Sequence, residues 1–144
     1  MNMNKIAVVD DDEDDRAFLT EAVMSVCQSD ILIAANGKEL IESLCTIDFV
    51  PTLMFLDLNM PLMDGHECLE ELKKVQRLRD MIVIIYTTSS NPGHVERTYN
   101  CGANLYVTKP MQYADIGKIV TTISELDEDT YRPQPMREKY VLLY

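Results

Sequence analysis

Five side chains spread along this chain would form one reactive site if the fold gathered them. They are the carboxylates of Asp10, Asp11 and Asp57, the hydroxyl of Thr87 and the ammonium of Lys109. Three crowded carboxylates repel one another, and a hard divalent cation relieves that repulsion. Oxygen ligands in a small site favour Mg2+, which keeps several waters and is usually held by one or two carboxylates. A carboxylate beside Mg2+ can act as a nucleophile on phosphorus, giving an aspartyl phosphate. Phosphoryl transfer needs mainly positioning and charge stabilisation. Mg2+ and Lys109 would neutralise equatorial oxygens, and the Thr87 hydroxyl would donate a hydrogen bond to another.

The elements that must position these groups are legible as short apolar runs: Ile6–Val9, Ile31–Ala35, Leu53–Leu56, Ile82–Tyr86 and Leu105–Val107. They are mostly continuous, as strands buried on both faces should be. Segments with helical spacing lie between and after them. Their apolar faces are Leu19, Val23 and Val26; Leu40, Ile41, Leu44 and Cys45; Cys68, Leu69, Leu72 and Val75; and Ile116, Ile119, Val120 and Ile123. A weaker helix, Gly93 to Asn100, follows Asn91 as cap and Pro92 as first helical residue. Strand and helix alternate five times, which predicts a (βα)5 doubly wound parallel sheet with right-handed crossovers.

Ligands bind such sheets outside the carboxyl ends of the strands, at the switch in strand order. The first run ends in Asp10-Asp11, the third in Asp57, the fourth in Thr87-Thr88 and the fifth in Thr108-Lys109. With the order 2-1-3-4-5, the reactive groups converge at one end of the sheet. Singly, each has a plainer role: Asp10 as a helix cap, Asp57 as a loop start, Thr87 as a β-branched strand residue, Lys109 as a solvated charge. Together they sit on the four strands that would surround one crevice.

The acidic run Asp10 to Asp15 divides accordingly. Asp10 and Asp11 end the first strand, Asp12 is either a helix cap or an outer member of the acidic pocket, and Glu13, Asp14 and Asp15 occupy a first helical turn. There the helix dipole favours negative charge. The formal net charge is −11 and the excess is local to this run, which argues against a nucleic-acid surface. Cys27, Cys45, Cys68 and Cys101 are widely spaced beside apolar segments and read as buried reduced thiols. His66 and His94 are isolated in sequence and receive no ligand role. There is no signal-peptide pattern and no apolar run of spanning length, so the expectation is a cytoplasmic protein without membrane attachment. Residues 1–126 read as one domain and 127–144 as a C-terminal extension with no output domain. Its apolar YVLLY, Tyr140 to Tyr144, is a frayed end or docks on its own domain or on a second subunit, as in a homodimer.

The motifs resemble the receiver domain of two-component response regulators, in particular stand-alone, chemotaxis-regulator-like members. VVDDD is similar to the acidic pair after the first strand, FLDLNMPLMDG to the phosphoacceptor loop, IIYTTSS to the switch hydroxyl, and NLYVTKP to the switch aromatic and Lys-Pro. TTSSN is also similar to stand-alone receivers partnered with phytochrome-type kinases. The resemblance implies that Asp57 is phosphorylated by a sensor histidine kinase or histidine phosphotransfer protein. It implies that Asp11, Asp57 and the carbonyl of Asn59 ligate Mg2+, with Asp10 acting mainly through water, and that Lys109 pairs with the phosphoryl group. Thr87 would move toward that group as Tyr106 swings inward, switching the face of the fourth helix, fifth strand and fifth helix toward a downstream protein partner. Asn59 and Ser89 look like the positions that tune dephosphorylation. Lys109-Pro110 is expected to be cis, as such members usually have.

Other readings fit less well. A haloacid-dehalogenase-like phosphatase wants Asp-x-Asp at its nucleophile, whereas this chain has Asp57-Leu58-Asn59. A nucleotide-binding module would carry a glycine-rich phosphate loop, which is missing from the sequence. A receiver that only binds partners, without taking phosphate, would have lost motif residues that are present here.

Overall fold

The computed structural model describes every residue except 47 and 49. Strands and helices alternate as β1 (Lys5–Val9), α1 (Glu13–Val26), β2 (Asp30–Ala34), α2 (Gly37–Thr46), β3 (Leu53–Leu56), α3 (Gly65–Lys73), β4 (Ile82–Thr87), α4 (Pro92–Asn100), β5 (Leu105–Thr108) and α5 (Asp115–Glu125). Among the described residues the five strands form one parallel sheet in the order β2-β1-β3-β4-β5, the arrangement expected from the sequence.

Side-chain alternation along the strands decides the two layers. Ala7, Val9, Met54, Leu56, Val83, Ile85 and Tyr106 point to one face, where α2, α3 and α4 cover them with Leu40, Leu44, Cys68, Leu69, Leu72 and Val95. Ile6, Val8, Leu53, Phe55, Ile84, Leu105 and Val107 point to the other, under Leu19 and Val23 of α1 and the whole α5 stripe Ile116, Ile119, Val120 and Ile123. Each buried Val, Leu, Ile, Phe or Met among them contributes about 1.5–3 kcal/mol. β1, β3 and β4 are buried along nearly their whole length, while β2 at the edge leaves Ile33 exposed.

The helix starts follow local hydrogen-bond chemistry. The Asp12 side chain accepts from the Asp15 amide at 3.0 Å, which settles it as the cap of α1. Asp64 accepts from the Glu67 amide at 2.9 Å at the head of α3. Asn91 accepts from the Gly93 amide at 2.8 Å, with Pro92 opening α4. A cap of this kind stabilises a helix by about 1 kcal/mol.

Two expectations need correction. Cys45 is exposed, not buried, because α2 turns Leu40 and Leu44 into the core and the next residue lies about 100° further round. Lys109-Pro110 is trans: the cis bond among the described residues is Arg132-Pro133. The Lys109 amide donates to the Thr87 carbonyl at 2.7 Å, continuing the β4–β5 ladder into the loop, and trans is the intrinsically favoured isomer. The extension, which the sequence left as frayed or docked, is folded against its own domain. Residues Glu128–Tyr131 form a short helix, α6, Arg137–Lys139 a 3-10 turn, and Tyr140–Leu142 run alongside β5. No helix among the described residues is long and apolar enough to cross a membrane.

Candidate functional site

Each reactive residue stands where a strand stops. β1 and β3 are neighbours with Val9 opposite Leu56, so Asp10 and Asp57 emerge side by side, and the Asp57 amide donates to the Val9 carbonyl at 2.9 Å. Asp10, Asp11 and Asp57 can each offer a carboxylate oxygen such that all lie within 4.8 Å of one another. Asp10 and Asp57 are buried and Asp11 is exposed. This crowded, hard-oxygen set at the mouth of the sheet fits a divalent cation. Asn59 stands beside Asp11 on the rim of a shallow cavity that Asp64, His66, His94 and Arg97 also line.

The ammonium of Lys109 closes the site from β5. Its Nζ lies 2.6 Å from Asp10, 2.9 Å from Asp15 and 3.5 Å from Asp57, with only 8% of the side chain exposed. Burial pushes the Asp10 carboxyl up to about 6; Lys109 and the Asp12 amide oppose the rise, and the nearby charge of Asp57 adds to it. Burial alone would lower the Lys109 ammonium, yet its hydrogen bonds with Asp10 and Asp15 and the charge of Asp57 hold it above its ordinary range. An excess of negative charge is therefore confined in a poorly solvated space, with one cation shared among three carboxylates.

Thr87, at the end of β4, is fully buried, while Thr88 is exposed. Thr87 pairs in register with Thr108, which sets its hydroxyl and Lys109 at the same end of adjacent strands. Tyr106 of β5 is also fully buried, and its hydroxyl donates to the Ser89 carbonyl at 2.6 Å. The aromatic ring already occupies the inward position. The Ser89 hydroxyl pairs with Nδ1 of His94 at 2.7 Å, so the loop after β4 is tied to both β5 and α4.

Four features of the site were not read from the sequence. Asp15, assigned to a solvated helix start, reaches Lys109. Arg16 donates to the Asp10 carbonyl at 2.7 Å from the first turn of α1. His66 and His94, isolated in sequence, face each other with ring centroids 5.5 Å apart, and burial together with Arg97 lowers the His66 imidazole. Gly65 is the fourth. A Cβ there would sit 2.2 Å from the Asp57 carbonyl oxygen and 2.8 Å from the Leu58 Cα, and its amide donates to the Leu58 carbonyl at 2.9 Å. A glycine opening a helix, where its propensity is poor, was the available signal.

Comparison with known proteins finds relatives in sequence and in fold. The chain fits the family model described as "Response regulator receiver domain" over residues 6–121. It is 40% identical over 73 residues to the response regulator Rcp1 of Synechocystis sp., a match covering 51% of this chain and 50% of that one. It is 30% identical to a chemotaxis protein CheY homolog of Campylobacter jejuni, covering 74% of this chain and 81% of that protein. The match to Rcp1 thus spans about half of that relative's length. Among solved structures, the phosphorylated cyanobacterial phytochrome response regulator RcpA superposes with a TM-score of 0.78 at 28% identity, over 91% of this chain and 95% of that one. The Mn2+-bound form of Rcp1 gives 0.74 at 26% identity, over 92% and 96%.

Proposed function

Because the chain belongs to the response regulator receiver domain family, a family of phosphorylation-based signalling switches, we propose that it takes a phosphoryl group on Asp57 from a sensor histidine kinase or histidine phosphotransfer protein. What carries this reading is the convergence of Asp10, Asp11 and Asp57 within 4.8 Å, with Lys109 Nζ 3.5 Å from the Asp57 carboxylate. Asp11, Asp57 and the carbonyl of Asn59 would hold a Mg2+ ion directly and Asp10 through water, and the ion would supply charge neutralisation to the phosphoryl oxygens.

In the transfer step a carboxylate oxygen of Asp57 forms the new bond to phosphorus as the phosphorus–nitrogen bond of the phosphohistidine breaks. Lys109 accompanies the charge that builds on the phosphoryl oxygens; its ammonium is held protonated by the surrounding carboxylates. The Asp57 Oδ1 accepts from the Leu58 amide at 2.8 Å, which fixes the carboxylate plane and leaves Oδ2 toward Lys109. The Thr87 hydroxyl donates to a phosphoryl oxygen, and Tyr106 keeps the inward position. The state is then read on the α4, β5 and α5 face by a downstream protein. Hydrolysis of the aspartyl phosphate resets the switch, with Asn59 and Ser89 setting its rate.

The surroundings of the site suit a protein donor. Leu62 is 80% exposed, Met111 fully exposed, and Phe18 and Tyr113 stack edge-on in the groove between α1 and α5. Leu62 also holds a left-handed backbone, φ 67°, in the loop after Asp57, a conformation costing about 1–2 kcal/mol for a non-glycine residue. Exposed apolar side chains of this kind ring binding sites for other proteins. Incubation with acetyl phosphate and Mg2+ followed by intact mass tests the proposal: one added phosphoryl group is expected in the wild type and none in Asp57→Asn. Equal addition to both would contradict it.

A further inference from the structure

The segment after α5 returns to the edge of the sheet and pairs with the switch residue itself. The Tyr106 amide donates to the Tyr140 carbonyl at 2.8 Å, and the Leu142 amide donates to the Tyr106 carbonyl at 2.9 Å. Val141 sits opposite Tyr106 as a parallel bridge, so residues 140–142 act as a short added strand beside β5. Both backbone groups of Tyr106 on that edge are therefore engaged by the extension.

Side chains reinforce the pairing. Tyr140 is fully buried, with its ring 6.1 Å from Tyr106 and 5.0 Å from Tyr99, both at 61°. Its hydroxyl donates to the Thr98 hydroxyl of α4 at 2.7 Å, and burial raises its phenol well above the ordinary range. Upstream, the buried Asn104 side chain accepts from the Val83 amide of β4 at 2.9 Å and donates to the Tyr131 carbonyl at 2.7 Å. Gln134 donates to the Ala103 carbonyl at 2.9 Å, and the Tyr99 hydroxyl to the Pro135 carbonyl at 2.9 Å. The extension is thus sewn to β4, α4 and β5 at several points.

A tyrosine at position 106 that left the interior would emerge between α4 and β5, the edge that residues 140–142 cover. We propose that the extension is a latch and Tyr140 a positioning residue: docked, it holds Tyr106 inward, so latch docking and phosphoryl occupancy of Asp57 strengthen each other. The inference rests on the reading of Asp57 as the phosphoacceptor. Reciprocity follows from linkage: whatever the latch adds to the affinity of the site for a phosphoryl group, that group adds to the docking of the latch. Tyr106 is the shared element, bonded to the Ser89 loop at its hydroxyl and to the extension along its backbone.

The test uses the full chain with beryllofluoride, a phosphoryl mimic, at saturating Mg2+. Leu142→Pro removes the amide that Tyr106 accepts from, Tyr140→Ala empties the aromatic pocket, and Tyr140→Phe keeps the ring while dropping only the Thr98 bond. Circular dichroism of each variant checks that the fold is retained. Two quantities are read: beryllofluoride affinity by calorimetry, and the rate of tryptic cleavage after Arg137 and Lys139. In Leu142→Pro and Tyr140→Ala, cleavage is expected to accelerate and affinity to fall about tenfold, a typical coupling between linked sites. Tyr140→Phe is expected to stay near wild type in both, and beryllofluoride to slow cleavage of the wild-type chain. Faster cleavage with unchanged beryllofluoride affinity would overturn the coupling, and unchanged cleavage in both disruptive variants would overturn the docking. Failure of the wild type itself to bind beryllofluoride is a separate outcome that would overturn the phosphoacceptor reading and the latch with it.

Discussion

Lys109 and Arg137 are both cations paired with carboxylates, one at the carboxyl end of the sheet and one on the extension that covers its edge. Lys109 is 8% exposed among Asp10, Asp15 and Asp57. Arg137 meets Glu96 at 2.5 Å with side chains 41% and 55% exposed, its guanidinium 5.8 Å from the Tyr99 ring and 5.9 Å from Tyr140. The first cation sits where water is scarce and negative charge is in excess; the second lies over aromatic rings and remains solvated. Similar contact distances therefore carry different energies: the sheet end concentrates charge where water is scarce, and the edge is held by ring packing and backbone pairing.

That contrast is broken most sharply at Lys109. Lys109→Met leaves Asp10 and Asp57 buried without their cation, and the loss of one partner from a buried set costs about 3–5 kcal/mol at neutral pH. Urea unfolding in metal-free buffer should show it. A loss no larger than that of a surface pair would mean the carboxylates are better solvated than their burial indicates.

Next in size is the pH response of Asp10. Its folded carboxyl titrates near pH 6, above the ordinary 3.8. Between those values the folded chain keeps a proton that the unfolded chain has lost, so stability falls as pH rises from about 4 to about 6 and this group adds nothing further above that. The contribution is on the order of 2–3 kcal/mol, at 1.36 kcal/mol per pKa unit. Asp10→Asn should remove it, so that the variant gains on the wild type as pH rises, compared by metal-free urea midpoints at pH 4 and pH 7. A gap that does not widen would show that Lys109 already compensates Asp10 fully.

Gly65 bears on the sheet end from the backbone side. Gly65→Ala drives a methyl against the Asp57 carbonyl and the Leu58 Cα, neither of which is a flexible chain end. Overpacking of this kind costs about 1–3 kcal/mol, and it should also slow phosphoryl uptake by displacing the Asp57 loop, measured as the rate of mass gain with acetyl phosphate. The smallest effect belongs to the edge: Arg137→Ala removes a solvated pair worth less than about 1 kcal/mol. Thermal melting should barely register it.

The two regions also differ in how far the sequence discloses them. The alternation of strand and helix and the gathering of Asp10, Asp11, Asp57 and Lys109 follow from apolar runs and the polar residues that end them, since a parallel sheet places strand ends together, while the order 2-1-3-4-5 is simply a common one for such sheets. The α5 stripe was legible in full because a period of 3.6 residues has one partner, the sheet. Asp15 was not, because its reach to Lys109 depends on where the cap places the first turn of α1. The edge was still less legible. Residues 140–142 pair through backbone amides and carbonyls, which every residue carries, and Tyr140 finds Tyr99 and Tyr106 across long separations that leave no periodicity. Cys45 shows the opposite error: an apolar neighbour of Leu44 was assigned to the core although the helix turns it outward.

On the proposed reading, the charge gathered at the sheet end serves one nucleophile, Asp57. Treatment with acetyl phosphate and Mg2+, borohydride reduction of the acyl phosphate and peptide mapping locate the modified carboxylate directly. Reduction is expected at residue 57 alone, dependent on added Mg2+. Reduction at Asp10 or Asp11, or none at any carboxylate under those conditions, would contradict it.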